Sequence, residues 1–180
     1  MPARPISFAQ GLRLAREQAD LILDHARQTS TGPIMAISRM PKLRVDYITG
    51  QRLHGASFWD TRARQWVIQI NKDDHWKRQL FTVAYEFKSL LDYGFEDLLY
   101  HDVRLRSASR QADYAAQYFA RYLLVPDTLL RAALSTGTTD IRALAEQFGV
   151  AEAVVHERLR ELGLIGSRGT EAVRSREDRG

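Results

Sequence analysis

The chain contains no cysteine. Disulfides, thiolate-ligated zinc and cysteine nucleophiles are therefore excluded, and any metal would have to rest on His, Asp or Glu. Long apolar runs are missing too: no stretch approaches the ~18–20 residues that a membrane span needs. The opening Met1-Pro-Ala-Arg-Pro-Ile-Ser7 has the character of neither a signal peptide nor an anchor. A soluble, cytoplasmic protein without a membrane partner is the expectation. Lysine is scarce, with only Lys42, Lys72, Lys77 and Lys88 among the 26 basic residues. An arginine excess suits phosphate recognition, but the arginines are scattered rather than run together, and genome composition accounts for them equally well. The net charge of +4 and pI near 9.6 permit nucleic-acid binding without demanding it.

What is present reads as one domain with a small helical appendage, since 180 residues at 44% hydrophobic content can bury a substantial core. Leu12, Ala15, Ala19, Ile22, Leu23 and Ala26 recur at helical spacing over 8–28, with Ser7 placed as an N-cap. Thr29-Ser-Thr-Gly-Pro33 breaks that helix. Short apolar runs follow at Val45–Ile48, Gly55–Trp59 and Gln65–Ile70, the last two joined by Asp60–Arg64, a polar connection of hairpin length. They predict a small antiparallel sheet of three strands. Asn71-Lys-Asp-Asp74 offers turn chemistry and an N-cap for what comes next.

The stretch Leu80–Tyr93 is the most informative. Leu80, Val83, Ala84, Phe87, Leu90 and Leu91 form an apolar helical stripe. A second stripe runs Tyr85, Ser89, Tyr93 at i, i+4 and i+8, with Glu86 beside the first. In an H-E-x-x-H helix the two His bind zinc and the Glu polarises the bound water. Here the register reads Tyr85-Glu86-Phe87-Lys88-Ser89, and only the Glu survives.

Gly94 is placed as a C-cap, and 95–109 reads as a connection carrying Tyr100, His101, Arg104 and Arg106. A helix over 110–124 presents Ala112, Ala115, Ala116, Phe119, Ala120 and Leu123 on one face, with Asp113 one turn before Gln117. Pro126 ends it, and 127–135 is another short helix. Thr139–Leu162 has the pattern of a helix-turn-helix with Gly149 in the turn. From Gly166 onward the composition predicts a flexible tail.

This order resembles the ImmA/IrrE family of metallopeptidase-like proteins: a leading helix, strands ending in Trp66-Val-Ile-Gln-Ile-Asn71, then Arg78-Gln-Leu-Phe-Thr-Val-Ala-Tyr-Glu86, then Ala116-Gln-Tyr-Phe-Ala-Arg-Tyr-Leu-Leu-Val-Pro126, then the helical pair. The similarity covers roughly 10–164. In that family an Arg and a Phe-Thr pair precede Ala-His-Glu-x-x-His, and a ligating Glu lies three residues before the Ala that opens Phe-Ala-x-x-Leu-Leu-x-Pro. Arg78, Phe81, Thr82, Ala84, Phe119, Ala120, Leu123, Leu124 and Pro126 match this scaffold. The first zinc histidine falls on Tyr85, the second on Ser89, the general base on Glu86 and the third ligand on Asp113. The resemblance implies an α+β fold with the three-stranded sheet packed on helices in a zincin-like (gluzincin-like) arrangement, a degenerate peptidase-type domain over 8–135, the helix-turn-helix-like segment over 136–165 and the tail over 166–180.

Tyrosine ionises near pH ~10 and neutral serine is a poor zinc ligand, so Asp113 alone suits a first coordination shell. His101 is a remote recruit from the neighbouring loop. The expectation is no metal, no cofactor and no catalysis, with Glu86 vestigial and hydrogen-bonded to Tyr85 or an arginine. Tyr85, Ser89 and Tyr93 then fill the space a metal centre would have taken. The implied role is regulatory, through a protein partner of the helix-turn-helix repressor or antitoxin type from a mobile element or stress response. One alternative is a DNA-binding regulator using Arg142, Arg158 and Arg160. On the second helix, however, Glu152 and Glu157 would face phosphate, and Ala151 lacks a capping hydroxyl. A second alternative is a metallo-endopeptidase with non-standard ligands, and a third is a toxin of a two-gene module.

Overall fold

In the computed structural model, residues 5–101 and 107–166 are described. They form α1 (Phe8–Gln28), α2 (Pro33–Ser38), β1 (Leu43–Ile48), β2 (Gly55–Asp60), β3 (Gln65–Asn71), α3 (Trp76–Asp92), α4 (Glu96–Leu99), α5 (Ala108–Leu124), α6 (Asp127–Ser135), α7 (Ile141–Phe148) and α8 (Glu152–Glu161). The fold is α+β, a small sheet packed against helices. Arg104, Arg106 and the tail beyond Gly166 lie outside the described residues.

The sheet is mixed, not antiparallel throughout. Its order is β1-β3-β2. β2 pairs antiparallel with β3 as the hairpin predicts, Asp60 holding the turn by accepting from the N–H groups of Arg62 and Ala63 at 2.9 and 3.0 Å. β1 pairs parallel with β3, Val45 opposite Ile68 and Tyr47 opposite Ile70. The physical reason is the connection 49–54. It passes the end of the sheet rather than making a tight hairpin, so β3 inserts between β1 and β2. β1 and β2 flank β3 and so stand two strand spacings of about 4.8 Å apart, a gap six residues bridge easily. Nothing in the apolar period distinguishes the two pairings.

Helix α1 begins at Ser7 with a capping box to Gln10. Its Ala15, Ala19 and Ala26 are buried, and α1 packs on α5 through small side chains, with the Tyr122 hydroxyl donating to Asp20 at 2.7 Å. The main core joins Ile68 and Ile70 of β3 to Val83, Ala84 and Phe87 of α3 and Phe119, Ala120 and Leu123 of α5. α3 starts earlier than its apolar stripe, and its N-cap is His75, whose ring accepts from the Lys77 N–H at 3.3 Å, rather than a residue of Asn71–Asp74.

A second core holds the C-terminal helices together: Val125, Leu130, Ala133, Leu144, Ala145, Val150, Val155 and Leu159. Gly149 adopts the left-handed conformation (φ 65°) that ends α7. A Cβ there would stand 3.2 Å from the Trp76 ring, so the turn between α7 and α8 rests against the start of α3.

Candidate functional site

Tyr85 projects from α3 toward α5, and Glu86 toward β2. The Tyr85 hydroxyl donates to Asp113 Oδ1 at 2.9 Å, and Gln117, one turn along α5, donates to Asp113 Oδ2 at 2.9 Å. Two positions that carry zinc ligands in the ImmA/IrrE pattern are thus bonded to each other. Ser89 is turned away and donates to the Tyr85 backbone carbonyl at 3.3 Å. Tyr93 is not part of the site. It caps the end of α3 and stands edge-on to Trp66, ring centroids 5.0 Å apart. His101 is exposed beside the residues left undescribed.

Glu86 has neither of its expected partners. Its Oε2 accepts from the Ser57 hydroxyl of β2 at 2.8 Å. That contact depends on how closely β2 approaches α3. A Cβ on Gly55 would lie 2.5 Å from the Thr82 methyl and 3.3 Å from Glu86 Cγ, so only glycine lets the strand sit there. Burial pushes the Glu86 carboxyl above the usual carboxylate range, opposed by the Ser57 bond. No sequence signal pointed to Ser57, because the pairing is set by the strand's position.

Burial, and then the Asp113 carboxylate that accepts its proton, push the Tyr85 phenol far above its ordinary range. Tyr85 is therefore a neutral donor. The zinc that the family pattern implies does not fit this donor set. It offers a neutral phenol, a neutral hydroxyl committed to its own helix, and one carboxylate whose two oxygens are both engaged. Among the described residues, no three His, Asp or Glu side chains are grouped to hold a metal ion.

The space beside these residues is an open cleft of about 540 Å³, with Leu53, His54, Arg78, Phe81, Tyr85, Glu86 and Gln117 on its walls. A second depression, about 350 Å³, lies between the start of α3 and the start of α8, lined by His75, Lys77, Arg78, Phe81, Ala151, Ala153 and Val154. The two share Arg78 and Phe81.

The arginines proposed for nucleic-acid contact separate into two groups. Arg142 and Arg160 are on the surface, each near a glutamate of its own helix, Glu146 at 3.4 Å and Glu157 at 3.0 Å. Arg158 is not available and its assignment is corrected. It is 1% exposed, donates to the Val125 carbonyl at 3.1 Å, and pairs with Asp127 and Glu161. Its guanidinium carbon sits 5.2 Å from the centre of the Tyr122 ring. Its work is to attach α8 to α5 and α6.

One polar group lay outside the sequence expectations. Lys88, 1% exposed, donates to Asp92, which also accepts from the buried Tyr100 hydroxyl. An i, i+4 Lys–Asp pair reads in sequence as a surface ion pair, and only the folding back of Tyr100 over it reveals the burial.

A search of curated protein sequences found no match. Among solved structures, a Mycobacterium tuberculosis transcriptional regulator shares the fold with a TM-score of 0.56 at 16% identity, the alignment covering 86% of this chain and 52% of that one. The chain thus spans about half the length of that regulator. The family model of the IrrE N-terminal-like domain matches residues 42–160, from the entry to β1 through nearly all of α8. The chain belongs to the IrrE N-terminal-like domain family.

Proposed function

We propose that this chain is a catalytically inactive, IrrE-like regulatory protein that acts by binding a protein partner, a repressor or antitoxin-type regulator, rather than by cleaving one. The observation that carries the reading is the bond from Tyr85 to Asp113. It joins two former ligand positions with a neutral phenol, while Ser89 has turned to its own helix. Without an activated water Glu86 has no substrate-directed task, and its bond to Ser57 is one that a structural carboxyl makes. A fold neighbour described as a transcriptional regulator accords with a regulatory role.

DNA binding through the helical pair is the weaker reading. The turn leading into α8 rests on Trp76, Ala153 and Val154 face the start of α3, and Arg158 is buried. Arg142 and Arg160 remain as surface cations.

The test is metal retention. Protein purified without chelator, loaded with zinc and desalted should hold far less than one zinc per chain. The variant Tyr85→His/Ser89→His/Asp113→Glu, checked for helix content by circular dichroism, should hold close to one. A wild-type zinc that disappears in Asp113→Ala would overturn the proposal. So would hydrolysis of a co-purified partner that is lost in Glu86→Gln.

A further inference from the structure

We infer that the two depressions meeting at Arg78 and Phe81 are one docking groove, and that its occupant is an extended protein segment in which acidic residues alternate with apolar ones. The inference rests on the proposed binding of a protein partner and adds where that partner docks and the chemistry of the segment it offers. Leu53, 65% exposed, and Phe81 supply apolar surface on one side, and Ala153 and Val154 on the other. Depressions of about 540 and 350 Å³ are concave and large enough to admit several side chains, unlike a flat phosphate-tracking stripe.

Charge selects the sign of the occupant. Arg78 stands at the junction and Lys77 beside it on the wall of the smaller depression, and among the described residues no carboxylate pairs with either; Lys77 stacks over Trp76 at 5.7 Å. The acidic side chains of this region are held by other partners and pair with neither cation: Asp74 with His54 at 2.8 Å, Glu86 with Ser57, and Asp113 with Tyr85 and Gln117. Glu152 opens α8 but is not on the groove wall. The groove therefore combines apolar wall positions with two cations that no carboxylate pairs with among the described residues, its one lining carboxyl, Glu86, being held by Ser57. β2, which supplies Gly55 to the wall, is an edge strand. An extended segment alongside it would find free backbone groups.

The probe is a fluorescein-labelled peptide of alternating aspartate and leucine, titrated into the full chain by fluorescence anisotropy. Counterparts carrying asparagine or lysine in place of aspartate serve as comparisons. The aspartate peptide should bind about tenfold more tightly than the asparagine one, and the lysine peptide least. Its advantage should shrink with added salt and vanish in Lys77→Gln/Arg78→Gln. Leu53→Ser should weaken the aspartate and asparagine peptides alike. Equal binding of those two peptides, or an unchanged preference in the charge variant, would overturn the inference. Displacement of the peptide by a random DNA duplex with the same sensitivity to Lys77 and Arg78 would do so as well, because it would mark a phosphate-binding surface. Zinc content measured on the same preparations keeps the two proposals apart. A zinc-retaining protein with charge-selective binding removes the inactivity and leaves the groove, and a zinc-free protein without charge selection does the reverse.

Discussion

Tyr85 and Glu86 lie within two turns of Lys88 and Asp92 on α3, yet the two pairs live in different physical settings. The first pair borders an open cleft, and each member makes one side-chain hydrogen bond to another element, Tyr85 to Asp113 of α5 and Glu86 to Ser57 of β2. The second pair is sealed, with Lys88 and Asp92 at 1% and 4% exposure and the Tyr100 hydroxyl closing the remaining carboxylate oxygen. The same helix thus carries polar groups that can be exchanged at modest cost and polar groups that cannot. A site can change its chemistry where water and a cleft stay nearby. It cannot where removal of one charge strands the other.

Breaking the sealed group should have the largest effect. Lys88→Met is expected to cost about 3–5 kcal/mol in urea unfolding, because Asp92 is left buried and without its cation. The double variant Lys88→Met/Asp92→Leu should recover most of that loss. A single variant within about 1 kcal/mol of wild type would erase the contrast between the two settings. Tyr85→Phe should cost less, about 0.5–1.5 kcal/mol, since Asp113 keeps Gln117 and can reach water from the cleft.

The smallest effect concerns Glu86 and depends on pH. Burial raises its folded-state pKa above the unfolded value near ~4.3, so folding favours the protonated carboxyl. That contribution is full below the unfolded pKa and is lost as pH rises through the raised one. Glu86→Gln should therefore melt with wild type at pH 4 and at a slightly higher temperature than wild type at pH 8, followed by differential scanning fluorimetry. An advantage for wild type at the higher pH would mean that the ionised carboxylate is the form the fold prefers.

Much of this was legible in the sequence because it is local. α1 with its Ser7 cap, the three strands, α5, α6 and the turn at Gly149 follow from spacing, capping and breaker residues. The ligand positions were legible through register alone, since Tyr85, Ser89 and Asp113 stand at fixed offsets from matching scaffold residues. What could not be read is non-local. The parallel pairing of β1 depends on where a six-residue connection lands, the partner of Glu86 on how near Gly55 lets β2 approach, and the burial of Arg158 on Val125 and Asp127 about thirty residues away. Short elements were missed for another reason. α2 and α4 hold six and four residues, too few for an apolar period to declare itself.

The contact between Gly149 and Trp76 gives the molecule an internal reporter. The Trp76 ring is half exposed and pressed by the turn that joins α7 to α8, whereas Trp59 and Trp66 sit together at the far end of the hairpin, their ring centres 5.4 Å apart. In a Trp59→Phe/Trp66→Phe background, the emission of Trp76 alone would register whether the helical pair stays seated on α3 or lifts away when a partner arrives. The undocking of one unit could then be followed in real time without attaching a dye.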